Sequence, residues 1–171
     1  MIKSEKKLAE LRKTLSNAKY NEIYDRISML RAEEPFEGAI TLLAQFYDES
    51  DREEIKTAIS AFLNDMKERS GRAEVIGSLG AVKKPETKAM LASSCWQSGL
   101  DYSEYAVVLC EEFMSGDYMT SLECFTVLEN CTDTISVDDK TDLIARLDSA
   151  LARYDTPMRK LTEELISLLK Q

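Results

Sequence analysis

The sequence has no histidine, one tryptophan, three prolines and six glycines in 171 residues. Without imidazole, the commonest general base, the Ser–His and Cys–His nucleophile pairs and the usual zinc ligand are all missing. Scarce proline and glycine leave helices free to form almost everywhere. The longest apolar run, Tyr105–Cys110, is far short of the roughly 20 residues that cross a bilayer. Residues 1–20 hold neither an apolar run nor a small-residue cleavage site. No secretory signal and no membrane partner are therefore expected, and a cytoplasmic setting is.

What is present is charge, unevenly spread. The net charge is −9. Residues 1–20 hold six bases (Lys3, Lys6, Lys7, Arg12, Lys13, Lys19) and two acids, a net of +4. Residues 101–142 hold eleven acids against Lys140 alone, a net of −10. Such a stretch repels nucleic acid and anionic membrane and attracts basic partners.

Apolar residues recur three or four positions apart along the whole chain, which predicts an all-α protein. Leu8, Leu11 and Leu15 mark a first helix from Ser4, and Ile23, Ile27 and Leu30 a second. Ile40, Leu43 and Phe46 mark a third. Ser50–Glu53 and Asp101–Glu104 have capping-box form, in which a side chain at each end satisfies an orphan amide of the first turn. Gly71 is placed to end the helix after Ser50, and Ala73–Leu79 reads as a short, weak helical turn because Gly77 and Gly80 punctuate it. Pro85 suits a first helical position. The helix it starts runs through Ala89, Ala92, Cys95 and Trp96 to Gly99, which favours Trp96 as a core or hairpin contact over an exposed stacking platform. Further helices follow through Met119, Leu122, Phe125 and Leu128, through Leu143 and Leu147, and, after Thr156-Pro157, through Leu161, Leu165 and Leu168.

The endings Trp96-Gln97-Ser98-Gly99 and Phe113-Met114-Ser115-Gly116 are echoes seventeen positions apart, each followed by an Asp-Tyr pair. Equal endings at equal spacing suggest stacked antiparallel hairpins. Over about residues 35–154 this rhythm resembles that of HEAT-like and armadillo-like repeat proteins, with Arg72–Lys84 interrupting the period. The resemblance implies a short right-handed α-solenoid of about 8–10 helices, and the lack of any long linker or low-complexity tract predicts one domain over 1–171. Residues 1–34 would cap its N-terminal end and 155–171 its C-terminal end.

Cys95, Cys110, Cys124 and Cys131 lie in apolar helical settings without close Cys-x-x-Cys pairs, which favours reduced core thiols over a metal or redox site. Asp133, Ser136, Asp138 and Asp139 lack EF-hand spacing and read as a helix entry. No cofactor and no metal are expected. The pattern favours a non-catalytic module that binds a basic protein partner through an acidic helical surface. Glu104 and Glu111, seven apart and expected on one helix face, are the leading contact residues, with Glu112, Asp117 and Asp142 as neighbours. Two alternatives stand beside this. One is an enzyme on a HEAT-like scaffold of the DNA alkylation-repair type, for which the acidic charge is unfavourable. The other is a structural subunit of an oligomer.

Overall fold

A short helix is held mainly by burying one apolar stripe, so helix pairing follows from where the stripes fall. The computed structural model describes residues 1–171 and contains ten α-helices. They are α1 (Glu5–Asn17), α2 (Tyr20–Leu30), α3 (Ala39–Glu49), α4 (Glu53–Asn64), α5 (Arg72–Ala81), α6 (Pro85–Gln97), α7 (Ala106–Ser115), α8 (Tyr118–Asn130), α9 (Val137–Ala150) and α10 (Thr156–Leu169). There is no strand. A single bridge ties the N-terminal segment down: the Ile2 amide donates to the Pro35 carbonyl and the Glu37 amide to the Ile2 carbonyl, each at 3.0 Å. No helix is long and apolar enough to cross a membrane.

Consecutive helices fold back on each other through short connections, and alternate helices adjoin. The even-numbered helices form the row α2, α4, α6, α8, α10, and the odd-numbered ones the row α1, α3, α5, α7, α9. Odd helices begin at residues 5, 39, 72, 106 and 137, which are 34, 33, 34 and 31 residues apart. Hairpins thus recur at an interval of about 33 residues. The seventeen-residue echo is half of it, matching the end of an even helix (α6) to the end of an odd one (α7). Polar bonds between successive connections keep the same interval. Arg31 pairs with Asp65, Asn64 Nδ2 donates to Gln97 Oε1 at 2.8 Å, and Thr134 Oγ1 donates to Asp101 Oδ1 at 3.2 Å.

Between the rows runs one core of 37 buried residues, from Leu11 in α1 to Leu169 in α10. At roughly 1.5–3 kcal/mol for each large side chain buried, this core is the main stabilising term. All four cysteines belong to it and are unpaired. Helix α8, wedged among α6, α7 and α10, buries Thr120, Ser121 and Cys124 along with Phe125 and Leu128. Met119, expected on its apolar stripe, is 51% exposed instead, because small polar residues fit the closest helix approaches better.

Several expected helix ends are realised. Ser4 and Ser136 each accept an amide N–H of their own first turn, and Pro85 and Pro157 sit in first turns; the structure adds Asp117 and Asp155 as caps of α8 and α10. Three readings are corrected. Neither capping box forms: Ser50 Oγ accepts the Arg52 amide at 3.1 Å and Asp101 Oδ1 the Ser103 amide at 2.9 Å. Side chains bonded two residues ahead make turns, so α4 starts at Glu53, and a 3₁₀ turn over Ser103–Tyr105 precedes α7. Gly71 does not end a helix. It is the residue before α5, which runs a full ten residues because burial of Val75, Ile76 and Leu79 outweighs its two glycines.

Other helix starts are capped from the neighbouring hairpin. Asp48 accepts the Lys84 and Lys83 amides ahead of α6 at 2.9 and 3.2 Å. Burial raises the Asp48 pKa, but these amides outweigh it, so the carboxyl lies below its ordinary 3.8. Glu33 lies below 4.5, held there chiefly by its hydrogen bond to Arg26. A carboxylate with a depressed native pKa stabilises the fold above its unfolded pKa and loses that contribution as pH falls through the native one. The melting temperature is therefore expected to hold from pH 7 to about 5 and to fall below about pH 4, as followed by circular dichroism. A rise in melting temperature on acidification would contradict these assignments.

Candidate functional site

The five acidic residues expected to contact a partner all have partners inside the protein. Glu104 lies in the 3₁₀ turn ahead of α7 and pairs with Arg72 of α5 at 3.1 Å. The same guanidinium donates to the Asp101 carbonyl and lies over the Tyr105 ring at 5.6 Å. Glu111 and Asp142 do come together, on Arg146 of α9, at 3.1 and 2.7 Å. Glu112 pairs with Lys88 of α6 at 2.7 Å, the most sheltered of these contacts. Asp117 caps α8 by accepting the Thr120 amide at 2.9 Å. Glu104 and Glu111 are thus not a pair on one helix face. The 3₁₀ turn takes Glu104 out of helical register, and each carboxylate is drawn to a cation on a different neighbour.

The carboxylates of the 101–142 stretch without a cation are Asp101, Asp117, Glu123, Glu129, Asp133, Asp138 and Asp139. Four of them, Glu129, Asp133, Asp138 and Asp139, gather where α8 ends and α9 begins. There Ser136 Oγ accepts the Asp139 amide at 3.1 Å, the helix entry expected for this loop.

Beside that junction a cleft of about 330 Å³ opens between the α6–α7 and α8–α9 connections. Its walls include Trp96, Asp101, Tyr102, Asn130 and Thr134, with Cys95 and Cys131 at the apolar base. Trp96 is 37% exposed and not a core residue. The inward positions of α6 go to Leu91, Ala92 and Cys95, leaving the indole at the margin of the stripe. Its Nε1 donates to Glu123 Oε2 at 2.7 Å, which fixes the ring as a wall. Gly99, at φ +70° and with nothing near its missing Cβ, ends α6 and leaves the mouth open.

Asp101 is the only charged residue lining the cleft. The Ser103 amide, against the opposing effect of burial, holds its carboxyl below the ordinary value, helped by the Ser103 and Thr134 hydroxyls and the Arg72 charge. It is a permanent anion at neutral pH. Oδ1 is occupied by Ser103 and Thr134, while Oδ2 is uncommitted. Tyr102 is 1% exposed, and its hydroxyl has no hydrogen-bond partner, although it lies beside Cys95 and Ser98. Burial pushes the phenol pKa up, so it stays protonated.

The cysteines are chemically quiet. Burial pushes the Cys95, Cys110 and Cys131 thiols up to about 12 and Cys124 higher still. Thiols in this range are neither nucleophiles nor ready metal ligands near neutral pH. No three Cys, Asp or Glu side chains are grouped so as to hold a metal ion. Sequence reasoning missed the cleft because its walls come from residues 95–102 and 127–134, which only hairpin stacking brings together. A signal was present in the lone Trp close to an Asp-Tyr pair. Comparison with family models, with curated proteins and with solved structures gives no match to this chain.

Proposed function

We propose that this protein is a non-catalytic binding module of α-solenoid type that docks a basic segment of a partner protein along the edge where α6 meets α7 and α8 meets α9. The observation that carries the reading is an open, aromatic-walled cleft whose one charged wall is Asp101, next to four carboxylates with no cation of their own. The solenoid reading rests on the two rows of helices and their regular hairpins. A unit of about 33 residues is shorter than the roughly 40–47 of HEAT and armadillo repeats, so it supports stacked hairpins more than that particular family. Thiols held protonated and the lack of imidazole favour binding over catalysis.

Charge of this kind acts through association rate and salt dependence. A synthetic decapeptide of alternating Lys and Arg is expected to bind, with affinity falling as salt rises, while an acidic decapeptide and duplex DNA should not. Reversing Glu129, Asp133 and Asp138 together to Lys should slow peptide association about tenfold at low salt and leave the circular dichroism spectrum intact. The same reversal at Glu104, Glu111 and Asp142 would instead set Lys against Arg72 and Arg146, and is expected to lower stability. Association of the first triple variant at the wild-type rate throughout a salt titration would defeat the reading.

A further inference from the structure

We infer that the Trp96 cleft is a specificity pocket for one guanidinium side chain, so that the basic segment is read through an arginine and not only attracted by charge. This rests on the docking reading above. The lining excludes other ligand classes. With no Lys or Arg in the walls, a phosphate or carboxylate would meet the Asp101 charge without a cation to receive it, since Arg72 lies outside the lining. A purely apolar group would strip water from that carboxylate without replacing its hydrogen bonds.

A guanidinium meets what the cleft offers. Its flat face matches the Trp96 indole, which Glu123 holds in place at 2.7 Å. Its N–H donors need acceptors, and the lining supplies two side chains that carry them: Asp101, whose Oδ2 is uncommitted, and Asn130. Lysine fits less well, because its ammonium is a compact, strongly hydrated point charge without a planar face. At about 330 Å³ the cleft is at the small end of binding sites and has room for an arginine side chain.

Trp96 is the only tryptophan, so intrinsic fluorescence reports occupancy of this cleft directly. Titration with the blocked tripeptide Gly-Arg-Gly is expected to give a saturable change in emission. The lysine tripeptide should need at least tenfold more ligand, and the citrulline tripeptide, uncharged but nearly isosteric, should give no saturable change. Asp101→Asn keeps an oxygen for the Ser103 amide and so preserves the turn, yet should weaken the arginine tripeptide about tenfold or more. Equal response to citrulline, or undiminished affinity of Asp101→Asn, overturns the pocket. Binding of the Lys/Arg decapeptide but not the arginine tripeptide would reject the pocket and leave the docking surface standing. Failure of both peptides rejects both.

Discussion

Replacing Phe113 by alanine is expected to destabilise the protein by about 3–5 kcal/mol, the range for a fully enclosed aromatic cut back in a packed core. Phe113 has no exposed surface and lies in α7 against α8, where Ser121 Oγ donates to its carbonyl at 2.7 Å. The helices are held apart by their other contacts, so the space left behind cannot collapse. Trp96, which occupies the matching place in the Ser-Gly echo, makes the internal control. At 37% exposure it should cost clearly less than Phe113 as alanine, because about a third of its surface is already in water. Urea unfolding followed by far-ultraviolet circular dichroism measures both. Equal costs would mean that the two echoed positions are buried alike, contrary to the fold described.

The second large effect is expected at Glu74, a residue with no prominence in the sequence. Its carboxylate, projecting from α5, accepts the amides of Gly38, Ile40 and Thr41 at 2.6, 3.1 and 3.3 Å and so caps α3. Gly38 has φ +85° with the Leu8 side chain at 3.1 Å from its missing Cβ, so it supplies no capping group and tolerates none. Glu74→Ala leaves three half-buried amides without an acceptor. Lost caps and unsatisfied donors together place the cost at about 2–3 kcal/mol. Glu74→Gln, which keeps one acceptor, should recover part of it. Hydrogen exchange should show the loss first at the α3 amides. Unchanged exchange there in the alanine variant would show that water replaces the carboxylate without cost.

How much of this was legible depends on the range of each interaction. Helix stripes and first-turn caps are local, which is why Ser4, Pro85, Ser136 and the leucine stripes placed their helices correctly. Local signals also misled where two local options compete: Ser50 and Asp101 cap a turn and not a helix, and the two glycines of α5 are overruled by its buried face. The Asp142–Arg146 pair, four apart on one helix, was readable. The partners of Glu104, Glu111 and Glu112 were not, since Arg72, Arg146 and Lys88 are 24–35 residues away and arrive only when hairpins stack.

The sequence by itself determined that the chain is helical, that its cysteines sit in apolar settings, and that its net negative charge falls after residue 100. These follow from periodicity and composition, which need no knowledge of what packs against what. Only the tertiary structure decided which of those charges are free. Docking α5, α6 and α9 against α7 neutralises Glu104, Glu111, Glu112 and Asp142, and leaves Asp101 and the α8–α9 junction as the unpaired negative edge. It also decided that Trp96 is a cleft wall, because the inward positions of α6 are filled by Leu91, Ala92 and Cys95. A side chain's solvent exposure depends on neighbours supplied by distant segments, and spacing along one helix does not encode them.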